Sequence, residues 1–190
     1  MKKLKERILR DGKVLPGNVL KVGSFLNHMV DPAFTFEMAR EIKSRFGDAQ
    51  VNKVLTVEAS GIPLAFAVAY EFGVPMVFAK KAATKNLSEN VYTARVASYT
   101  HGRDFDLVVE KDCLNAHERV LVVDDFLAYG NALDGLFRIC SDADAEIVGA
   151  AIAIEKGFQG GGDELRARGF RIESLAIIDS MSEGNIKFRE

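Results

Sequence analysis

The segment from Val120 to Leu133 concentrates the residue types that could do chemistry. Its first four residues, Val120, Leu121, Val122 and Val123, are apolar and branched, which suits a strand buried on both faces of a parallel sheet. Ligands of such sheets sit at the carboxyl ends of the strands, and Asp124 and Asp125 would stand there. A short loop around Gly130 follows, comprising Ala128, Tyr129, Gly130, Asn131 and Ala132. Its backbone N–H groups can approach an anion at the positive end of the next helix. Carboxylates would then meet hydroxyls and amides would meet phosphate, a plan suited to a sugar phosphate. The ordinary alternative is a strand-to-helix connection in which Asp only forms the turn.

Three further places carry chemical residue types. Residues 55–64 repeat the geometry, with a strand, a turn through Ala59, Ser60 and Gly61, and a helix opened by Pro63. Accessible amides at Ser60 and Gly61 suit a second anionic group, although a plain helix cap would read the same way. Lys80 and Lys81 end the next strand, where an ammonium could reach an anion in the neighbouring loop or simply be solvated. Lys156 closes another buried strand on the edge that carries Asp124, followed by Phe158. An ammonium donates and cannot accept, so Lys156 favours a ligand carbonyl over an amino group, and Phe158 offers a face for stacking. Pairing of Lys156 with Glu155 or with solvent is the alternative.

These residues need a scaffold, and the hydrophobic pattern supplies one. Asp31 and Pro32 start a helix whose Phe34, Met38 and Ile42 recur at four-residue spacing. Strands are expected at 54–57, 74–79, 120–123, 147–154 and 172–178, and helices at 63–72, 132–140 and 163–168. Such alternation predicts a doubly wound α/β fold with a mainly parallel sheet. Residues 80–118 interrupt it with two β-rich runs, 91–100 and 105–110, read as a hairpin beside the sheet. An inserted connection of that length is usually functional or mobile.

Composition excludes several classes. With 190 residues, 48% hydrophobic and 27% charged, the chain suits one globular domain with a sizeable core. A formal net charge of -2 does not advertise a nucleic acid partner. Cys113 and Cys140, and His28, His101 and His117, lack metal-ligand spacing, so no protein-held metal is expected. The basic N-terminus lacks the apolar run of a secretory signal, and the longest apolar stretch, 147–154, is too short to span a bilayer. A cytoplasmic protein without membrane association is expected.

The run 120–133 resembles the phosphoribosyl-pyrophosphate (PRPP) signature of the type I phosphoribosyltransferases, and the similarity extends over nearly the whole chain. One departure is Tyr129 and Ala132, where many members carry Thr or Ser, so backbone amides must carry more of the 5'-phosphate contact. The resemblance implies that fold, with an N-terminal base-binding hood segment and an inserted flexible hairpin. It implies a single domain over 1–190 in which 1–30 and 180–190 are hood elements. The activity implied is transfer of the 5-phosphoribosyl group of PRPP to N9 of xanthine, a purine-salvage step giving xanthosine 5'-monophosphate and pyrophosphate. Guanine or hypoxanthine as the preferred base remains open, as does a PRPP- or nucleotide-sensing module without catalysis. By the same resemblance Asp124 and Asp125 are the catalytic acids on the ribose hydroxyls, and 128–132 hold the 5'-phosphate. Ser60 and Gly61 serve the pyrophosphate, in a loop that often includes a non-proline cis peptide, and Lys81 at the end of the next strand could reach the same anion. Leu20 and Asn27 contact the base, Lys156 the 6-oxo group, with Phe158 beside it. Tyr92 to Ser98 form the flexible loop. Mg2+ is implied through substrate and water, and a homodimer is expected.

Overall fold

The computed structural model describes residues 1–82, 90–97 and 104–190. From the N-terminus, α1 (Lys2–Asp11) turns Leu4 and Ile8 into the core. A small hairpin follows, β1 (Lys13–Leu15) and β2 (Val19–Lys21), with Leu15 opposite Val19. Its loop takes positive φ at Gly17 (80°) and Asn18 (60°), residue types that adopt this region at little cost. One turn of π-helix, Gly23–Asn27, leads to α2 (Pro32–Arg45). The expected cap is present there, with Asp31 accepting from the Phe34 N–H at 3.1 Å.

Strand and helix then alternate through β3 (Lys53–Val57), α3 (Ile62–Phe72), β4 (Met76–Ala82), the paired β5 (Val91–Val96) and β6 (Phe105–Glu110), and β7 (Arg119–Leu127). The rest of the chain comprises α4 (Asn131–Asp142), β8 (Glu146–Lys156), α5 (Gly161–Ala167), β9 (Ile172–Ser182) and β10 (Asn185–Phe188). One eight-stranded sheet has the order β10-β9-β8-β7-β3-β4-β6-β5. Its central strands β9, β8, β7, β3 and β4 are parallel, whereas β10, β6 and β5 pair antiparallel at the edges.

Alternate residues of β7 serve opposite faces. Leu121 and Val123 join a core with Met38, Phe46 and Leu64 under α2 and α3, while Val120 and Val122 join one with Leu136, Phe137 and Ile139 of α4. Helices on both faces explain the uninterrupted apolar runs. Chain order reverses between β3 and β7, so the connections leaving these two strands diverge and open a crevice at their carboxyl ends.

Three expectations need correction. The hairpin does not lie beside the sheet: β6 pairs with β4, Lys80 opposite Val108, and so extends the sheet edge. The strand expected over 91–100 ends at Val96. It pairs with β6 over six residues and packs on α4, where a Cβ on Gly135 would come 2.6 Å from Val96 Cγ2. Tyr92 is therefore a sheet residue, not part of a loop, and Ser98 lies outside the described residues. Finally, β9 runs on to Ser182 and β10 returns beside it, so 180–190 continue the main sheet.

Candidate active site

Pairing lengths place the two acids. β8 accompanies β7 as far as Leu127 opposite Glu155, but β3 pairs with β7 only as far as Leu55 opposite Val122. Asp124 and Asp125 are thus strand residues on the crevice side, not turn residues, and both are buried. Asp124 Oδ1 accepts the N–H of Asp125 at 2.9 Å. Burial, and next the Asp125 carboxylate, push the Asp124 carboxyl well above the usual range. Asp125 bridges two other elements: Oδ1 accepts from Ser60 Oγ at 3.0 Å and Oδ2 from Asn27 Nδ2 at 2.9 Å.

The loop after β3 is fastened on both sides. Its Glu58–Ala59 peptide is cis. The Glu58 N–H donates to Ala79 O at 3.0 Å, and its carboxylate accepts the Lys81 N–H at 2.7 Å. A Cβ on Gly61 would lie 2.4 Å from Thr56 Oγ1 and 2.7 Å from Asp124 Oδ1. Only glycine lets this loop close against the acid. The Lys81 ammonium sits 5.3 Å from the Phe105 ring and contributes to the field at Asp124.

Backbone also shapes the loop after β7. Gly130 has φ 87° and caps α4, whose first turn contains Asn131 and Ala132. A Cβ on Gly161 would lie 2.4 Å from both Ala128 O and Tyr129 C, and the Gly161 N–H donates to Ala128 O at 3.2 Å. This contact fixes the course of residues 128–130. The Asn131 side-chain amide donates to Ala97 O at 2.9 Å, joining the loop to the end of the hairpin.

Opposite these loops stands the N-terminal segment. Lys156, the last residue of β8, donates to Asn18 O at 2.9 Å and lies 5.7 Å from the Phe126 ring centroid. Partial burial lowers its pKa from the ordinary lysine value. Glu155 does not pair with Lys156: it turns to Arg166, with contacts of 2.8 and 2.6 Å, and accepts from Ser174 Oγ. Phe158 is partly exposed in the 3-10 turn after Lys156, and Leu20 is buried in the N-terminal core. The structure thus links Asn27, Ser60, Gly61, Asp124 and Asp125 directly. Sequence reading missed Glu58 and Phe126, although Glu58 follows its strand as Asp124 and Asp125 follow the apolar run of β7. Among the described residues no three His, Cys, Asp or Glu side chains form a metal-ligand group.

A family model for the phosphoribosyl transferase domain matches residues 30–175. A xanthine phosphoribosyltransferase of Finegoldia magna is 47% identical over 190 residues, covering all of both chains. Another from Alkaliphilus metalliredigens is 51% identical over all of this chain and 94% of its own. Among solved structures, the adenine phosphoribosyltransferase of Leishmania tarentolae superposes with a TM-score of 0.75 at 17% identity, covering 96% of this chain and 90% of that one. The enzyme of Giardia lamblia complexed with 9-deazaadenine gives 0.66 at 24% identity, over 77% and 80%. At these identities the solved structures speak for the fold, while the sequence matches speak for descent: the chain belongs to the phosphoribosyl transferase domain family.

Proposed function

We propose that this protein transfers the 5-phosphoribosyl group of PRPP to N9 of xanthine, releasing pyrophosphate and forming xanthosine 5'-monophosphate in purine salvage. The observation that supports the reading is the meeting of Asp124, Asp125 and the Ser60–Gly61 turn at the switch-point crevice, with Lys156 at the end of the neighbouring strand β8. Full-length identity of about half to relatives named for xanthine supports the base. Asp124 and Asp125 hold the ribose 2'- and 3'-hydroxyls and stabilise positive charge developing at C1. The amides of Ala128 to Ala132 hold the 5'-phosphate at the start of α4, and Ser60, Gly61 and Lys81 receive the pyrophosphate. Lys156 donates to the 6-oxo group, which an adenine amino group cannot accept. Leu20, Asn27 and Phe158 complete the base site.

The ion expected with PRPP would be held mainly by substrate oxygens and water. Mg2+ bound with PRPP supplies charge neutralisation for the leaving pyrophosphate. Residues 1–30 act as the hood of a single domain. The exposed rings of Phe66 and Tyr70, four residues apart on α3, suit a second copy of the chain. No helix among the described residues is long and apolar enough to cross a membrane, and we place the protein in the cytoplasm without nucleic acid partners.

The test is nucleotide and pyrophosphate formation from PRPP and Mg2+ with xanthine, guanine, hypoxanthine and adenine in parallel. Strong preference for xanthine is expected. Preference for guanine or hypoxanthine would overturn the base assignment, and PRPP binding without turnover on any base would overturn the enzyme reading. Sedimentation of the wild type and of Phe66→Ser/Tyr70→Ser tests the dimer, which is expected to dissociate in the variant.

A further inference from the structure

The contact between Asn27 and Asp125 joins residues 98 positions apart, one from the N-terminal π-helical turn and one from the central strand. A carboxylate only accepts hydrogen bonds, so the atom of the Asn27 amide facing Asp125 Oδ2 at 2.9 Å must be the nitrogen. Asp125 is itself held, because its other oxygen accepts from Ser60 Oγ and its backbone N–H donates to Asp124. The acid is 4% exposed. Turning the Asn27 amide over would bring its carbonyl oxygen against a buried carboxylate and leave both without a proton between them.

Amide orientation matters because xanthine and guanine present opposite patterns at neighbouring ring positions. Xanthine offers a carbonyl at position 2 beside a ring N–H at position 3. Guanine offers an amino group beside an unprotonated ring nitrogen. One side-chain amide can match either pattern, and a half-turn about its terminal bond exchanges the two. We infer that Asp125, besides its place in the ribose site, is the positioning residue that holds the Asn27 amide in one orientation and thereby sets discrimination between 2-oxo and 2-amino purines. The inference rests on the proposed base-reading role of Asn27.

Asp125→Asn removes the constraint with almost no change of shape. A carboxamide both donates and accepts, so either face of Asn27 then finds a partner. The measurement is the ratio of kcat/KM for xanthine to that for guanine at saturating PRPP, taken within each variant so that weakened PRPP binding cancels. The ratio is expected to fall about tenfold in Asp125→Asn and by a similar factor in Asn27→Ala. Adding Asp125→Asn to Asn27→Ala should change it no further, since the acid acts through the amide. For variants too slow to assay, the ratio of Kd values for xanthosine and guanosine 5'-monophosphates reads the same discrimination. A ratio preserved in Asp125→Asn but lost in Asn27→Ala would overturn this inference alone. A ratio preserved in both would remove Asn27 from the base site, and the inference would go with that reading.

Discussion

The two walls of the crevice are built differently. On the phosphate side, backbone packs against backbone or against a buried acid: Gly161 lies on the 128–130 loop and Gly61 lies on Asp124, at approaches that no Cβ would permit. On the hood side the contacts are made by side chains, Lys156 reaching Asn18 O and Asn27 reaching Asp125. A wall of main chain has few alternative positions, because shifting it means moving strand and helix ends together. A wall of side-chain contacts can part and re-form. Under the proposed function, the first construction would hold the PRPP groups and the second the base.

Substitutions should separate the two walls. The largest effect is expected from Gly61→Ala, whose Cβ would drive the loop after β3 from Asp124 and Thr56. Steady-state kinetics should show kcat/KM for PRPP lowered by about 100-fold, with the order of base preference kept. If Gly61→Ala altered base preference instead, the two walls would not be separable. Lys156→Ala comes next, lowering kcat/KM for xanthine by roughly 10- to 100-fold while KM for PRPP stays near its wild-type value. Equal losses in both substrates would place Lys156 in the common machinery. A smaller effect, about three- to tenfold in kcat, is expected of Asn131→Ala, which cuts the hydrogen bond between the phosphate loop and the hairpin end at Ala97. Unchanged turnover in that variant would show that the Asn131 bond to Ala97 does not help to position the site.

The smallest expected effect is on stability. Asp124 is costly to ionise in the folded chain, since burial and Asp125 raise its pKa. The unfolded carboxyl ionises near its ordinary value of 3.8, so the folded state loses stability as pH rises from there towards the folded pKa. Asp124→Asn removes that penalty. It should melt higher than wild type at neutral pH, by about 2–4 °C per kcal/mol relieved, with the difference closing as pH falls to 4. A Tm difference independent of pH would show that Asp124 is not the group responsible.

Legibility in the sequence divides along the same line. The apolar run, the paired acids and the glycine loop lie within 14 consecutive residues, so period and turn chemistry reveal them. The end of β7 was misplaced because it depends on how far β8 runs alongside, which local pattern does not encode. The hairpin of β1 and β2 was invisible for a related reason. Its strands are three residues long and the turn is held by a lysine 138 positions away. The tie between Asn27 and Asp125 is equally non-local. Long-range polar contacts leave no periodicity, so resemblance alone could nominate Asn27.

The bond from Lys156 to the Asn18 carbonyl has a further consequence. If a purine 6-oxo group takes the same ammonium proton, one carbonyl oxygen replaces another of similar strength. Base binding then becomes a substitution rather than an addition, with little net gain from that hydrogen bond. Its rate would follow how readily the 16–18 turn swings away, and its affinity would come from the ring and from the remaining contacts. Tightening the hairpin should therefore slow association of the base far more than it changes catalysis once the base is seated.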